Sequence, residues 1–266
     1  MKVLVAGGTG WAGSELSKAI VQHPSLELVG AISRSQAGKN LAELLGIEGS
    51  LPIYDNINSA IAGADFDIMV DYTSPAVAMS NIILALRSHK KVVIGTSGLS
   101  ESDYAEIEKV AIDFETSVLA VGNFAITVVL LQKFAEIAAR YISTYEIIDY
   151  AHQDKIDAPS GTARELAYKL SMIQKPISEQ LKHGFLGEKD SRGTNLNGIQ
   201  VHSVRLPGHV ISIETIFGLE DEKLIIRHDA GKSAKPYVKG ALIAIENISS
   251  FKGLRRGLDT VLNLEI

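Results

Sequence analysis

The fold of this 266-residue chain is decided by the stretch Lys2–Gly13, which reads KVLVAGGTGWAG. An apolar run of strand length leads directly into a G-x-G-x-x-G loop, and an amphipathic segment of helical length follows. In this context the glycines allow a tight turn, and the N-terminus of the helix attracts a pyrophosphate. We therefore expect a dinucleotide-binding loop made of Gly8, Thr9, Gly10, Trp11, Ala12 and Gly13.

Short apolar runs and longer amphipathic segments alternate through the first half of the chain. Strands are predicted at Lys2–Ala6, Leu26–Ser33, Ile68–Asp71, Lys91–Gly95 and Ser117–Val121. Helices are predicted at Trp11–Gln22, Val77–Arg87 and Glu101–Phe114. This alternation is typical of βαβ units, so the sequence predicts an α/β fold with a Rossmann-like, doubly wound parallel sheet in its N-terminal domain.

The pattern changes in the second half of the chain. Helices are predicted at Ala125–Tyr141, Gly161–Ile173 and Lys235–Ser249, and a strand is predicted at Tyr145–Ala151. Three further strands, Gly198–Arg205, His209–Gly218 and Lys223–Asp229, are separated by short turns, which indicates antiparallel pairing. We expect residues 1–124 with 236–266 to form the dinucleotide-binding domain. Residues 125–235 are expected to form an α+β domain with an open, mainly antiparallel sheet.

The composition excludes several classes of function. A formal net charge of −5 argues against a surface for nucleic acid or anionic membranes. The absence of cysteine excludes disulfides, thiolate metal sites and cysteine nucleophiles, and no metal site is expected. The N-terminus lacks the pattern of a signal peptide, and no apolar run approaches the ~18 residues of a membrane span. We therefore expect a cytoplasmic protein with no nucleic-acid or membrane partner.

The segment after the second predicted strand bears on the choice of coenzyme. A strand that binds the ribose of NAD ends in an acid about 20 residues after the glycine loop. This segment has no acid and instead offers a guanidinium, an ammonium and hydroxyls, of which the guanidinium suits a 2′-phosphate. The residues concerned are Ser33, Arg34, Ser35 and Lys39. The segment favours NADPH, with NADH as the alternative.

Polar or glycine-containing turns follow the next three predicted strands. Ligands bind at the carboxyl ends of the strands in open α/β sheets, so these turns are further candidates for cofactor contacts. The candidate residues are Tyr72, Thr73, Gly95, Thr96, Ser97, Asn123 and Phe124.

The segment Asp149–Ala163 reads DYAHQDKIDAPSGTA and ends at a predicted helix start. Backbone N–H groups and hydroxyls at Ser160, Gly161 and Thr162 form a potential anion site. His152 and Lys155 face this site if the chain turns between them. A lysine can clamp a carboxylate, and a histidine is suited to donating a proton near neutral pH. These two residues are the catalytic candidates of a reductase for a small acidic substrate.

Together these motifs resemble the dihydrodipicolinate reductase family. The resemblance covers nearly the whole chain, and its most specific part is Lys155–Ala163, which reads K-x-D-x-P-S-G-T-A. It implies NAD(P)H-dependent reduction of 4-hydroxy-tetrahydrodipicolinate, a small dicarboxylate, in lysine and diaminopimelate biosynthesis. It implies that His152, Lys155, Gly161 and Thr162 hold the carboxylates of the substrate. It also implies that residues 125–235 bind the substrate and build a homotetramer through their sheet.

One position departs from the pattern of the family. The family usually carries two adjacent histidines before this motif, and Ala151 stands where the first, the proposed proton donor, is expected. Lys155, His152 or a water then supplies the proton. Two alternatives stay open: a family member that acts on another cyclic imine or small acid, and a non-catalytic NADP-binding protein. The intact Lys155 and Ser160–Thr162 argue against the second, because a sensor does not need a carboxylate pocket.

Overall fold

The computed structural model describes residues 1–176, 187–262 and 264, and it divides the chain into two compact units. The N-terminal unit comprises Met1–Ile126 and Ala234–Ile266, and the inserted unit comprises Thr127–Ser233. The end of the chain therefore returns to the unit that its first residues build. Within the described residues, no helix has the length and apolar character needed to cross a bilayer.

A parallel sheet forms the centre of the N-terminal unit. Its strands are β1 (Lys2–Ala6), β2 (Glu27–Ile32), β3 (Ile53–Tyr54), β4 (Ile68–Asp71), β5 (Lys91–Ile94), β6 (Ser117–Ala120) and β12 (Gly253–Arg256). They lie in the order β12-β6-β5-β4-β1-β2-β3, and all pairings are parallel. Strands β4 and β6 are buried along their whole length, as expected for a sheet covered on both faces. The Rossmann-like prediction is confirmed.

Helices of the N-terminal unit connect these strands. They are α1 (Trp11–Val21), α2 (Leu41–Leu45), α3 (Ile57–Gly63), α4 (Pro75–Arg87), α5 (Glu101–Asp113) and α8 (Lys235–Asn247). Apolar side chains from strands and helices, including Phe66, Met69, Ile82, Leu86 and Ile107, form one buried core. The sequence did not predict β3, α2 and α3, which are short, nor β12, whose sequence GLRR has only one large apolar side chain.

The strand order fixes where a ligand can bind in this unit. From β1 the chain proceeds to β2 and β3 on one side, and then returns to place β4 on the other side of β1. The order therefore reverses between β1 and β4, and the crevice at the carboxyl ends of these two strands is where open α/β sheets bind their ligands.

The inserted unit contains a five-stranded sheet in the order β11-β10-β7-β9-β8. The strands are β7 (Tyr145–Ala151), β8 (Thr194–Leu196), β9 (Ile199–Arg205), β10 (Ile211–Leu219) and β11 (Glu222–Ala230), and the helices are α6 (Ile126–Ala139) and α7 (Gly161–Ile173). Three of the four pairings are antiparallel, which confirms the mainly antiparallel sheet. Apolar side chains of α6 and α7 pack with the sheet in a second core.

The expected pairing of β9 with β10 is wrong. Strand β7 lies between them, parallel to β9 and antiparallel to β10. Arg205 at the end of β9 and Ile211 at the start of β10 are both in register with Ala151, so the connecting loop crosses the end of β7. The short turn is compatible with this arrangement because it has to span only one intervening strand.

Candidate functional site

The glycine loop of the N-terminal unit is packed too closely to admit side chains. A Cβ at Gly13 would lie 2.2 Å from the carbonyl oxygen of Gly7, and a Cβ at Gly7 would lie 2.5 Å from that of Tyr72. Helix α1 begins after Gly10, and no side chain caps its N-terminus. The first turn of α1, which includes Ala12, therefore presents backbone N–H groups that suit a pyrophosphate.

Gly7 shapes the turn before the motif and is not part of the G-x-G-x-x-G pattern. It adopts a left-handed φ of +81°, and its N–H donates to the carbonyl of Ile32 at the end of β2. The G-x-G-x-x-G pattern starts one residue later, at the buried Gly8. The signal available in the sequence was the pair of consecutive glycines after the strand, since only glycine adopts this φ without strain.

Two contacts place Thr9 and Trp11 around the loop. The Thr9 hydroxyl donates to the Ser33 hydroxyl at 3.0 Å, which ties the loop to the end of β2. The Trp11 indole is 60% exposed and makes an edge contact with Tyr237 of α8, with 5.7 Å between ring centroids. Trp11 is the one tryptophan of the chain, so its fluorescence reports on the glycine loop alone.

The candidate 2′-phosphate residues lie beyond the end of β2. Arg34 opens a single turn of 3₁₀ helix and is exposed, as are Ser35 and Lys39. Lys39 Nζ donates to the side chain of Gln36 at 2.9 Å. Among the residues that the structure describes, no acidic side chain pairs with Arg34, so its guanidinium is available to an anion.

A buried carboxylate, which the sequence did not identify as important, organises the turns after β4 and β5. Asp71 Oδ1 accepts from the backbone N–H of Thr73 at 3.0 Å, from the Thr73 hydroxyl at 2.6 Å and from the Thr96 hydroxyl at 2.7 Å. Its Oδ2 accepts from Asn81 of α4 at 2.9 Å. Two of the candidate cofactor residues thus direct their hydroxyls at Asp71.

The remaining cofactor candidates surround these turns. The rings of Tyr72 and Phe124 meet edge to face with centroids 5.6 Å apart, and burial raises the pKa of Tyr72, which stays a neutral phenol. A Cβ at Gly95 would lie 2.2 Å from the Tyr72 ring, so only glycine fits. Ser97 is exposed, and Asn123 accepts from the backbone N–H of Ala125 at 2.9 Å.

In the inserted unit, Lys155 lies beside the N-terminus of α7. The backbone N–H of Lys155 donates to the carbonyl of His152, so the chain makes the turn that the sequence required. Lys155 Nζ is 2.6 Å from Asp157 Oδ1. This hydrogen bond is the main cause that holds the pKa of Asp157 below its usual range, and the backbone N–H of Gly161 adds a smaller contribution.

The start of α7 is exposed at Gly161. A Cβ at this residue would meet no atom within 4 Å other than its chain neighbours and the backbone of α7 itself. Thr162 follows in the first turn and is half-buried. The Ser160 hydroxyl is buried and accepts from the backbone N–H of Ala163 at 3.3 Å, so it caps the helix. We expect Ser160 to support the anion site through this cap rather than through direct contact.

His152 has an acidic neighbour of its own. Its Nδ1 is 3.0 Å from Asp154 Oδ2, and the imidazole is partly exposed. The backbone N–H of Asp154 also donates to this nitrogen at 3.3 Å, so both contacts with Asp154 are made at Nδ1. Ala151 is fully buried and lies on the same face of β7 as the buried Asp149.

A buried ion pair anchors the segment that carries these residues, and the sequence gave no signal for it. Arg205 Nη2 donates to Asp149 Oδ2 and to the Asp157 carbonyl, each at 2.7 Å. The same Asp149 oxygen accepts from the backbone N–H of Ser160 at 2.8 Å. Arg205 therefore connects the end of β9 to β7 through Asp149, and to the turn before α7 through the carbonyl of Asp157. No group of three or more metal-ligating side chains occurs within the described part of the chain.

Two family models match the chain. "Dihydrodipicolinate reductase, N-terminus" matches residues 1–124, and "Dihydrodipicolinate reductase, C-terminus" matches residues 127–262. Among curated relatives, the 4-hydroxy-tetrahydrodipicolinate reductase of Desulfitobacterium hafniense is 36% identical over 98% of this chain and 98% of the relative. The enzyme of the same name from Bacillus subtilis is 32% identical over 99% of this chain and 98% of its own length.

Solved structures agree with these sequence matches. A dipicolinate-bound dihydrodipicolinate reductase from Paenisporosarcina is similar with a TM-score of 0.86 and 29% identity, covering 98% of this chain and 99% of that chain. An amine dehydrogenase from Mycobacterium smegmatis has a TM-score of 0.69 at 13% identity over 100% and 97% of the two chains, which shows a common fold.

Proposed function

The chain belongs to the dihydrodipicolinate reductase family, and on that basis we propose that it reduces 4-hydroxy-tetrahydrodipicolinate to tetrahydrodipicolinate. This is an NAD(P)H-dependent step of lysine and diaminopimelate biosynthesis. The observation that carries the proposal is the start of α7, where Lys155 and the backbone N–H of Gly161 both hold the Asp157 carboxylate, in a chain that also carries the glycine cradle of a dinucleotide. A reductase of a small dicarboxylate needs both of these sites.

We propose NADPH as the preferred coenzyme, with its pyrophosphate on the first turn of α1. The close contacts of Gly7 and Gly13 keep this cradle free of side chains, which fits the group. We assign the 2′-phosphate to Arg34, with Ser33, Ser35 and Lys39 as its neighbours, because the Arg34 guanidinium is exposed and suits a phosphate. When bound, the coenzyme supplies the hydride.

The carboxylates of the substrate are assigned to Lys155 and the start of α7. The Lys155 ammonium provides a charged hydrogen-bond donor, and the backbone N–H groups of Gly161 and Thr162 lie at the positive end of a 13-residue helix. A substrate carboxylate at this position replaces the Asp157 carboxylate, which Lys155 and the backbone N–H of Gly161 hold in the structure. Neutral analogues lack the charge that Lys155 pairs with, so they bind less well.

The proton is assigned to His152. Asp154 contacts Nδ1 of the imidazole, and this contact leaves Nε2 as the atom that gives the proton. Lys155 keeps the role of binding a substrate carboxylate in this assignment, since its ammonium already pairs with a carboxylate, that of Asp157. Ala151 has no titratable group, and its burial is compatible with a packing role.

We further propose a cytoplasmic homotetramer that assembles through the sheet of the inserted unit, as the family resemblance implies. One face of this sheet carries the partly exposed apolar side chains of Ile148, Ile216 and Ile225. The same face carries the ion pairs of Glu146 with His202 and of Arg227 with Glu214, so any association through it combines apolar and charged contacts.

Binding of dipicolinate tests the assignment of the carboxylate site. Dipicolinate is titrated calorimetrically into the protein saturated with NADP⁺, using the wild type, Lys155→Met and the control Lys133→Met, whose lysine lies on α6. Removing the ammonium costs about 2–5 kcal/mol of binding free energy, so Lys155→Met should bind at least ~30-fold more weakly. Lys133→Met should bind like the wild type. Equal binding by all three proteins would contradict the assignment.

A further inference from the structure

Asp71 is buried among hydrogen-bond donors in a place where no cation neutralises it. Its side chain is fully inaccessible to solvent, and within the described residues no lysine, arginine or histidine forms an ion pair with it. Four hydrogen bonds from Thr73, Asn81 and Thr96 take the place of a cation. A carboxylate is costly to bury, so an arrangement that supplies every donor fixes those donors in position.

The donors come from three different segments of the N-terminal unit. Thr73 lies in the turn after β4, Asn81 lies on α4, and Thr96 lies in the turn after β5. Asp71 is the last residue of β4 and is paired with Ala6 on one side and with Ile94 on the other. The Asp71 carboxylate therefore holds together the two turns that lie at the carboxyl ends of neighbouring strands.

These two turns lie on the β4 side of the point where the strand order reverses. The backbone N–H of Tyr72 donates to the carbonyl of Ala6 at 2.9 Å, which seats the turn after β4 against the glycine loop. Arg34 and its neighbours lie on the opposite side, beyond β2. A dinucleotide that spans this crevice places its two nucleotides on opposite sides, so the turns held by Asp71 face the nicotinamide half.

We propose that Asp71 is a positioning residue for the nicotinamide half of the coenzyme. It turns the hydroxyls of Thr73 and Thr96 inward, which leaves the backbone groups of the two turns to meet the ligand. Asp71 does not touch the coenzyme in this role. The inference rests on the proposed NADPH-dependent function and adds a residue that governs one half of the coenzyme site without affecting the other.

The test compares a complete coenzyme with its adenosine half. Dissociation constants for NADPH and for 2′,5′-ADP are measured calorimetrically on the full chain for the wild type, Thr96→Val and Thr116→Val. Thr96 is 7% exposed and donates to Asp71. Thr116 is 4% exposed and donates to the Lys90 carbonyl at the amino ends of β5 and β6, away from the carboxyl ends where Thr96 lies. The two variants thus make the same chemical change at similar burial, and only one touches the carboxylate of Asp71.

Loss of a hydrogen bond to a charged acceptor is expected to raise the dissociation constant of NADPH about tenfold in Thr96→Val. The dissociation constant of 2′,5′-ADP should stay within about twofold of the wild type, because that ligand lacks the nicotinamide half. Thr116→Val should leave both constants unchanged. Asp71→Asn should raise the dissociation constant of NADPH further, because the NH₂ group of asparagine is a donor and would face the donors that Asp71 accepts from.

Three results would overturn the inference. An unchanged NADPH affinity in Thr96→Val would show that Asp71 does not position the coenzyme. Equal weakening of NADPH and 2′,5′-ADP would show a loss of the whole site instead. A wild-type protein that bound neither ligand would contradict the proposed function itself, and this outcome is distinguishable from the other two because it needs no variant.

Discussion

Arg205→Met is expected to destabilise the inserted unit strongly, because it removes the cation beside a buried carboxylate. Asp149 is 1% exposed, and one of its oxygens has no hydrogen-bond partner among the described residues. Removing one partner of a buried ion pair costs about 3–5 kcal/mol of unfolding free energy.

Urea unfolding at pH 7 measures this loss. The lone Trp11 reports on the N-terminal unit, so circular dichroism and hydrogen exchange at the amides of β7 and β9 are used for the inserted unit. The change should also raise the KM for the substrate, since Arg205 holds the Asp157 carbonyl near Lys155.

Arg192→Met is the matched control. Arg192 forms an ion pair with Glu146, which lies on β7 as Asp149 does, but more than half of the Arg192 side chain is exposed. An exposed pair contributes less than about 1 kcal/mol, so this variant should unfold almost like the wild type. A loss below about 1 kcal/mol in Arg205→Met, or equal losses in the two variants, would refute the reasoning.

Four further predictions follow from the site. His152→Ala should lower kcat by about 10²–10⁴-fold with a smaller change in KM, and an unchanged kcat in a steady-state assay would remove His152 as the proton donor. Arg34→Ala should lower kcat/KM for NADPH by about 10–100-fold and leave kcat/KM for NADH unaltered, which parallel assays with both coenzymes measure. Ala151→His should cost about 1–3 kcal/mol of unfolding free energy in a urea melt, because Ala151 is fully buried. A tenfold gain in turnover by the same variant would argue that the chain had lost its proton donor at this position. Asp229, whose pKa the Arg227 guanidinium lowers to about 2, should lend stability above about pH 4 that disappears as the pH falls toward 2; carboxyl NMR should find its midpoint near 2, and a midpoint near 4 would contradict the contact.

The sequence predicted those parts of the molecule whose signal is local. The glycine loop and helix Gly161–Ile173 were placed correctly, because a loop motif and an amphipathic period each lie within one segment. Strand β3 has two residues and offers no period to detect. The pairing of β9 was wrong because turn length does not reveal whether a third strand lies between two neighbours.

The residues that the sequence did not reveal act through distant contacts. Thr96 and Asp71 are 25 residues apart, and Arg205 and Asp149 are 56 residues apart. An aspartate at the end of a strand and an arginine near a turn are ordinary surface residues by pattern alone. Only the fold shows that each lies buried next to the segment that carries the candidate site.

The most direct test of the account is the oxidation of NADPH at 340 nm in the presence of freshly generated 4-hydroxy-tetrahydrodipicolinate. The account predicts turnover of at least ~1 per second, in the usual range of enzymes, with NADPH used better than NADH. A protein that bound NADPH but did not oxidise it with this substrate would contradict the account.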